Sequence, residues 1–272
     1  VGRSTDEQSQ PIAADPASLD VLKLAQRVAK PDAPVLITGE SGTGKEVLAR
    51  YIHQHSLRAQ APFVAINCAA IPESMLEATL FGHEKGAFTG AVTSRPGKFE
   101  QANGGTLLLD EITEMSVDLQ AKILRVLQER EVERVGGNKL IPLDVRVLAT
   151  SNRDLLQAVS EGQFREDLYY RLSVFPLGWL PLRERPLDII PLADRILAVH
   201  AAKQQRTGVF LGASAKQALQ AHAWPGNVRE LDNVMQRALI LQQGRCIEAD
   251  DLGLQGVDLR NRLLTASVEQ RL

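Results

Sequence analysis

The segment 39–45 limits the fold of this chain more than any other part of the sequence. It reads Gly39, Glu40, Ser41, Gly42, Thr43, Gly44 and Lys45, which matches the pattern G-x4-G-K. The apolar run 35–38 before it predicts a buried strand, and residues 46–55 after it predict a helix. A glycine-rich loop in that context turns backbone N–H groups around phosphate oxygens, and the helix start adds a favourable dipole. The segment therefore predicts a nucleotide-binding α/β domain.

Strand and helix signals alternate along most of the chain. Apolar runs predict further strands at 63–66, 106–109 and 145–150, and helical patterns cover 19–28, 73–80 and 117–129. This alternation predicts a mostly parallel sheet with helices on both faces. From Pro176 onward, prolines punctuate a connector and the remainder is helical to about Gln243. We therefore expect a nucleotide-binding α/β domain at 1–175, a smaller all-helical domain at 176–252 and a linker at 253–272.

Two adjacent acids, Asp110 and Glu111, end the apolar strand at 106–109. On its own, such a pair could simply face solvent. With Lys45 supplying a positive charge to the β- and γ-phosphates, Asp110 would position Mg²⁺ and Glu111 would orient and deprotonate a water. Glu46 stands where the general pattern has Ser or Thr for Mg²⁺, so the metal would rest on Asp110, with Glu46 as a second ligand directly or through water. Binding alone would not need Glu111, so the pair predicts hydrolysis.

A second loop, at 81–91, has glycine hinges and an apolar tip. Its centre consists of Gly86, Ala87, Phe88, Thr89, Gly90 and Ala91. Two glycines would each destabilise a helix by roughly 1 kcal/mol and would also weaken a strand. Phe88 could fold back into the core from a surface turn, or it could stay exposed to bind a partner. The phosphate loop upstream and the acid pair downstream favour the second interpretation.

Composition excludes several classes of protein. The chain has 272 residues and a formal net charge of −2, so bulk electrostatics do not make it a nucleic-acid binder. No apolar run approaches the ~18–20 residues that span a bilayer, and no secretory signal opens the sequence. Cys68 and Cys246 form no CxxC motif, and the five histidines form no metal-like cluster. We expect a cytoplasmic protein without a membrane or zinc site.

Together these motifs resemble the AAA+ domain of bacterial sigma-54-dependent transcriptional activators, the NtrC-like enhancer-binding proteins. The resemblance extends to about Leu252, and its most specific elements are GAFTGA at 86–91 and GESGTGKE at 39–46, where Glu46 is the usual residue of the family. It implies an AAA+ P-loop NTPase fold with a helical lid, using ATP and Mg²⁺. It also implies a hexamer or heptamer ring that remodels the sigma-54–RNA polymerase closed complex.

The resemblance also implies roles for individual residues. Phe88 and Thr89 would contact sigma-54, and the segment 131–140, where glycines at 136 and 137 indicate a hairpin-like turn, would form a neighbouring surface loop. The residues placed at the nucleotide are Val1, Gly2, Asn67, Asn152 and Arg229, together with the loop at 39–46. Asn67 would switch Glu111 according to the bound nucleotide. Asn152, with Ser151, would take the sensor I position and Arg229 the sensor II position.

Arg165 and Arg171 match the arginine fingers of the family, which reach the γ-phosphate of a neighbouring subunit. The alternative is a charged helix face with internal Arg–Asp pairs. For the whole chain, the alternatives are a nucleotide-gated binding module without turnover and another kind of AAA+ machine. No helix-turn-helix is recognisable after the lid, so contact with enhancer DNA would need a domain absent from this chain.

Overall fold

The computed structural model describes residues 10–242 and 244–254, and these form two compact units. The first unit contains residues 10–11, 19–40 and 44–179. The second contains residues 12–18, 41–43 and the described residues from 180 onward. The predicted nucleotide contacts Val1 and Gly2, and the predicted linker from residue 255 on, lie outside the described residues.

The first unit is built around a parallel sheet. The helices that begin in or belong to it are α1 (Pro16–Ala29), α2 (Lys45–Gln54), α3 (Glu73–Phe81), α4 (Lys98–Gln101), α5 (Val117–Glu129), α6 (Leu155–Ser160) and α7 (Glu166–Leu172). Its strands are β1 (Val35–Thr38), β2 (Phe63–Asn67), β3 (Gly82–His83), β4 (Arg95–Pro96), β5 (Thr106–Asp110), β6 (Glu131–Glu133), β7 (Leu140–Pro142), β8 (Arg146–Ser151) and β9 (Phe175–Gly178). Two antiparallel pairs, β3–β4 and β6–β7, stand apart from the main sheet.

The main sheet has the strand order β2-β5-β8-β1-β9, and every pair in it is parallel. The register sets Asn67 opposite Asp110 and Thr38 opposite Ser151. The carboxyl ends of four neighbouring strands therefore meet at one edge, where ligands bind in open α/β sheets. The sheet confirms the parallel α/β fold predicted from the alternating signals.

The strand β9 was not predicted, because the prolines from Pro176 onward suggested a connector. Its position explains how Pro176 is accommodated: β9 is an edge strand paired only with β1, and an edge strand tolerates a proline that cannot donate a ladder hydrogen bond. The first unit consequently extends to Trp179, beyond the boundary expected at residue 175.

The core of the first unit is apolar, and the buried side chain of Arg146 joins α1 to the sheet. Arg146 is 3% exposed and donates to the carbonyl oxygens of Val28, Ala29 and Ala33, at 2.8, 2.6 and 3.1 Å. Helix α5 covers the sheet with the fully buried side chain of Ile123. Unpaired buried polar groups are costly, so these three bonds account for the placement of a guanidinium at the start of β8.

The second unit is mainly helical. Its elements are α8 (Ile189–Lys203), β10 (Phe210–Leu211), α9 (Ala213–Ala221), α10 (Asn227–Leu241), β11 (Cys246–Ile247) and α11 (Ala249–Leu252). The all-helical prediction was wrong in one detail, since β10 and β11 pair in parallel. Trp224 is fully buried in this core and donates its indole N–H to Leu219 at 2.8 Å. None of the described helices has the length and apolarity needed to cross a bilayer.

Candidate functional site

The phosphate loop bends at glycines, in backbone conformations that other residues rarely adopt. Gly42 has φ 77°, and a Cβ there would lie 2.6 Å from the carbonyl oxygen of Gly226. Gly44 has φ 97° and directly precedes α2. Left-handed backbone at both positions favours glycine, so the sequence pattern and the local conformation agree.

Lys45 places its charge at the mouth of this loop. Its side chain is 5% exposed, and Nζ donates to the carbonyl oxygens of Gly39 and Glu40 at 3.0 and 3.2 Å. Nζ also lies 3.3 Å from Oε1 of Glu111. A buried ammonium group that faces several acceptors from the loop can make the same contacts to phosphate oxygens.

Asp110, at the end of β5, is held by residues from the strands on either side. Its Oδ1 accepts a 2.5 Å hydrogen bond from Thr150 Oγ1, and its Oδ2 accepts one from Asn67 Nδ2 at 3.0 Å. Burial raises the pKa of Asp110, while the hydrogen bond from Thr150 lowers it and the charge of Glu111 raises it further. The carboxylate is therefore oriented by neutral donors and remains next to the loop that would carry the phosphates.

Glu111 adopts a left-handed backbone conformation, with φ 56°. This conformation is uncommon for a residue other than glycine, and its strain of order 1–3 kcal/mol requires support from neighbours. The N–H of Glu111 donates to Thr150 Oγ1 at 3.0 Å, and Oε2 accepts from the N–H of Asn152 at 3.0 Å. The side chain is 15% exposed and directed at Lys45, so the acid pair does not simply face solvent.

Asn67 contacts Asp110, whereas the predicted nucleotide-dependent switch acts on Glu111 and stays a prediction. The Asn67 amide donates to Asp110, and its Oδ1 accepts from the N–H groups of Ala69 and Ala70 at 3.0 and 3.1 Å. The register explains the difference. Asn67 lies directly opposite Asp110 across β2 and β5, whereas the left-handed turn at Glu111 carries that side chain toward β8 and β1.

Sequence reasoning did not identify Thr150, which links the two acids. It is fully buried, donates to Asp110 and accepts from the N–H of Glu111. At the predicted sensor I position, Asn152 contributes a backbone N–H, and the Ser151 hydroxyl donates to the carbonyl oxygen of Arg153 instead. A hydroxyl that directly follows the apolar residues 147–149 of β8 was the available signal.

The acids suit a metal that is shared with phosphate. Among the described residues, no three His, Cys, Asp or Glu side chains could together hold a metal ion. Mg²⁺ usually binds through one or two carboxylates, with substrate phosphates and waters completing its shell. Glu46 is half exposed and accepts two hydrogen bonds from Arg50, at 2.7 and 3.2 Å, so Asp110 is the better placed ligand.

The hexapeptide 86–91 forms a compact turn. Gly86 N–H donates to the Ala91 carbonyl oxygen at 2.8 Å, and Ala91 N–H donates to that of Phe88 at 3.0 Å. Phe88 is 46% exposed, and its ring lies 5.0 Å from the ring of His83. Phe88 is therefore outside the core, and a large apolar surface remains available to a partner.

Arg134 joins the hairpin β6–β7 to residues on either side of this turn. Its guanidinium donates twice to Glu100, at 2.8 and 2.7 Å, and also to Glu84 and Ser94 at 3.1 and 2.8 Å. The backbone of Val135 adds two more bonds, one to Gly82 and one from Glu84. The second surface loop expected at 131–140 thus packs on the base of the first. Arg134 was not identified from sequence, because its partners lie far away along the chain.

The two predicted fingers contact residues of their own chain. Arg165 makes a paired contact with Asp167, at 3.0 and 2.7 Å, which matches the alternative of an internal Arg–Asp pair. Arg171 Nη2 donates to the Leu127 carbonyl oxygen at 2.8 Å. Arg165 remains about a third exposed, so its guanidinium is accessible from outside this chain.

In the second unit, Arg229 contacts the tip of the phosphate loop. Its Nη1 donates to the hydroxyl of Ser41 at 3.0 Å. The predicted sensor II residue and part of the phosphate loop therefore belong to one compact unit. The contact brings a guanidinium next to the loop, and the sensor II role of Arg229 stays a prediction.

Comparison with known proteins gives consistent matches. The chain matches the family described as Sigma-54 interaction domain over residues 12–178 and the one described as AAA+ ATPase lid domain over residues 183–262. It is 68% identical over 248 residues to the response regulator protein FleR of Pseudomonas aeruginosa, covering 91% of this chain and 52% of that protein. It is 54% identical over 237 residues to the regulatory protein AtoC of Escherichia coli, covering 87% and 51%. The chain spans about half the length of the curated relatives it matches.

Solved structures of a related protein contain nucleotide. The crystal structure of NtrX from Brucella abortus in complex with ADP has a TM-score of 0.83 and 38% identity, covering 91% of this chain and 56% of that one. The complex of the same protein with ATP has a TM-score of 0.82 and 37% identity, covering 90% and 55%. The fold described above is thus found in proteins that have been crystallised with both nucleotides.

Proposed function

This chain belongs to the sigma-54 interaction domain family of AAA+ ATPases, and on that premise we propose that it hydrolyses ATP to remodel the sigma-54–RNA polymerase closed complex. One observation carries the proposal: the unit that holds the Lys45–Glu111 site also presents Phe88 on an exposed turn. ATP hydrolysis at the site would supply the free energy, and the turn would supply the contact with sigma-54. The outcome for the polymerase would be opening of promoter DNA.

The residues of the site support hydrolysis of ATP. The loop N–H groups and Lys45 would bind the phosphates, and Glu111 would orient the attacking water and take its proton. Asp110 would hold Mg²⁺, which when bound neutralises charge on the phosphate oxygens. Thr150 holds both acids in place, because its hydroxyl donates to Asp110 and accepts from the N–H of Glu111.

The path from the site to the turn runs along the chain. Asn67 contacts Asp110, and α3 connects the segment after Asn67 to β3, which lies just before the hexapeptide turn. At its far end, Phe81 of α3 stacks on Phe99 at 5.8 Å, next to the Glu100 that holds Arg134. A change in the Asn67–Asp110 contact on hydrolysis would move α3 and the turn together, if this element has two states that the nucleotide biases.

The same proposal extends to partners and organisation. Sigma-54 and RNA polymerase holoenzyme would be the targets, and the chain would assemble into a hexamer or heptamer ring in the cytoplasm. Arg165 and Arg171 would then serve the site of a neighbouring subunit. The first unit would be the nucleotide-binding subdomain and the second the lid, with enhancer DNA bound by another part of a longer protein. FleR is named as a response regulator, so we propose control by a receiver domain as well.

Replacing Glu111 by Gln tests the catalytic assignment. Gln keeps the size of the side chain and can accept the Asn152 N–H, but it cannot take a proton from water. We expect Glu111→Gln to bind ATP as the parent does and to release phosphate at least about 100-fold more slowly. Glu114→Gln, which makes the same charge change in the following turn, serves as control and should hydrolyse ATP normally. A parent chain that released no phosphate at any concentration would instead be a nucleotide-gated binding module.

A further inference from the structure

The tip of the phosphate loop is fixed by three donors within the second unit. Each of three consecutive carbonyl oxygens accepts one hydrogen bond. The pairs are Ser41 O with Asn227 Nδ2 at 3.1 Å, Gly42 O with Arg229 N–H at 3.2 Å, and Thr43 O with Arg185 Nη2 at 2.8 Å. One of the three donors is a backbone group, so two side chains fix the orientation of the tip.

These contacts determine which way the loop N–H groups point. The C=O and N–H of a trans peptide unit point in opposite directions, and the described residues contain no cis peptide bond. The N–H groups of Gly42, Thr43 and Gly44 must therefore point away from the three donors. That is the face which a phosphate-binding loop offers to an anion, because successive N–H groups converge there.

Asn227 is built for this contact. It is fully buried and has φ 52°, a left-handed conformation that asparagine tolerates better than most residues. Its Oδ1 accepts the N–H of Leu182 at 2.8 Å, and this bond fixes the amide so that Nδ2 faces Ser41. The amide oxygen of Asn227 therefore fixes the orientation of the side chain through Leu182, and the amide nitrogen donates to Ser41 of the loop.

We propose that Asn227 is a positioning residue for nucleotide binding, which acts by holding the Ser41 carbonyl so that the adjacent N–H faces the phosphates. This inference rests on the proposed ATP site and deepens it. Arg185 supports the same tip through Thr43, but its side chain is 2% exposed and lies 3.6 Å from the buried Asp188, so replacing it would disturb the core as well. A substitution at Asn227 therefore distinguishes an effect on the position of the loop from an effect on folding.

Asn227→Asp is the sharpest test, since it keeps the shape, the acceptor for Leu182 and a tolerance for left-handed backbone. At pH 8 the introduced carboxylate faces the Ser41 carbonyl oxygen with no proton to donate. Isothermal titration calorimetry with ADP on the full 272-residue chain should give a Kd about tenfold higher than the parent. Burial raises the pKa of such a carboxyl, and once protonated it can donate to Ser41. The ratio of variant to parent Kd should therefore shrink at pH 5.5.

Two further variants interpret the result. Gln236→Glu makes the same charge change on the exposed face of α10 and should leave the Kd within about twofold of the parent, because a surface charge is screened. Asn227→Gly accommodates the backbone without strain but removes both amide contacts, so it should weaken ADP binding at both pH values. It also serves if Asn227→Asp does not fold.

The outcomes separate this inference from the proposed function. A parent chain that binds no ADP would overturn the proposed function, and this inference with it. If the parent binds ADP and both Asn227 variants bind it equally well at pH 8, only the inference fails. A loss of affinity in Asn227→Asp that persists unchanged at pH 5.5 and follows a lowered melting temperature would assign Asn227 a purely structural role, which also overturns it.

Discussion

At the scale of single residues, the site depends on side chains that hold the catalytic groups. Glu111 has a strained backbone, and Asp110 is partly buried with a raised pKa. Both conditions persist because one hydroxyl, that of Thr150, donates to the first acid and accepts from the backbone of the second. Free energy is therefore stored at this point, and Thr150 is the residue whose loss should release it.

Thr150→Val removes this hydroxyl and keeps the shape of the side chain. The N–H of Glu111 would lose its acceptor, at a cost of about 1–3 kcal/mol that the left-handed turn can relieve by relaxing. We expect the rate of phosphate release to fall by about tenfold or more, because relaxation would move Glu111 away from the attacking water.

Thr113→Val is a matched control for this experiment. Thr113 is also buried, and its Oγ1 has no hydrogen-bond partner among the described residues. Its replacement should leave the rate unchanged and raise the melting temperature slightly, because an unpaired buried hydroxyl is removed. Equal rates in Thr150→Val and the parent would show that the hydroxyl does not position the acids.

At this scale, the sequence predicted those motifs whose residues are neighbours along the chain. The phosphate loop, the acid pair and the hexapeptide each lie within a few residues, and their chemistry follows from local order. Thr150 acts on a residue 40 positions away, Arg134 on one 34 away and Asn227 on one 186 away. Such partners depend on strand order and packing, which periodicity does not specify. The contact between Asn67 and Asp110 belongs to the same group, since only the register shows that Asp110 lies opposite Asn67.

At the scale of elements, the turn that carries Phe88 is positioned by its neighbours. The strands β3 and β4 contribute only two residues each, and the hairpin β6–β7 packs against their base through Arg134. A guanidinium that binds one carboxylate through two parallel bonds and a second through a third bond fixes geometry as well as charge. The hairpin should therefore transmit motion to the turn and not only cover it.

Arg134→Lys tests this connection. Lysine keeps the charge but cannot reproduce the paired contact with Glu100. We expect phosphate release to stay within about twofold of the parent, while formation of open complexes by sigma-54 holoenzyme falls about tenfold, since a positioning contact is lost away from the catalytic acids. Arg125→Lys on the exposed face of α5 should change neither quantity. Parallel losses of both activities would indicate a general structural role for Arg134.

His53 provides a pH-dependent test of how α2 packs on the sheet. It is buried, and its Nδ1 lies 2.9 Å from Thr106 Oγ1 on β5. Burial lowers the pKa of His53 below its ordinary value of 6.5, so the unfolded chain takes up this proton more readily than the folded one. The stability that results is present above pH 6.5 and is lost as the pH falls through the folded pKa.

His53→Gln should remove this part of the acid sensitivity. Gln can still bond to Thr106 and does not titrate. We expect the fall in melting temperature between pH 7.5 and pH 5.5 to be smaller in the variant than in the parent, measured by thermal unfolding of both chains. An equal or larger fall in the variant would contradict the assignment.

At the scale of the whole molecule, the alternating pattern predicted the parallel sheet, but not its order or its fifth strand. Strand β9 contains Pro176 and Gly178, which disfavour strands in a sequence pattern. Such residues are tolerated in an edge strand, and only the folded sheet shows which strand lies at the edge. The assembly of subunits is even harder to predict from the sequence than the order of the strands. The proposed fingers contact Asp167 and Leu127 within the chain, so a catalytic role would require a neighbouring subunit to exchange these contacts for a phosphate.

Mixing two inactive variants tests the proposed ring. Glu111→Gln keeps its finger and Arg165→Ala keeps its acids, so an interface between them is complete in one direction. In a head-to-tail ring formed from equal amounts, about a quarter of the interfaces are complete, and activity should recover toward that fraction of the parent rate. The rate per subunit of the parent should also rise steeply with concentration. A mixture as inactive as its components would contradict fingers acting in trans.

We propose above all that ATP hydrolysis acts on sigma-54 through the turn that carries Phe88. The most direct test of this proposal measures phosphate release and open-complex formation in the same samples, with Phe88→Ala compared with Val92→Ala, an exposed apolar residue just outside the hexapeptide. We expect Phe88→Ala to hydrolyse ATP like the parent but to form open complexes at least about tenfold less well, because an exposed aromatic typically dominates a contact. Val92→Ala should retain both activities. Normal open-complex formation by Phe88→Ala, with its ATP hydrolysis intact, would contradict the claim.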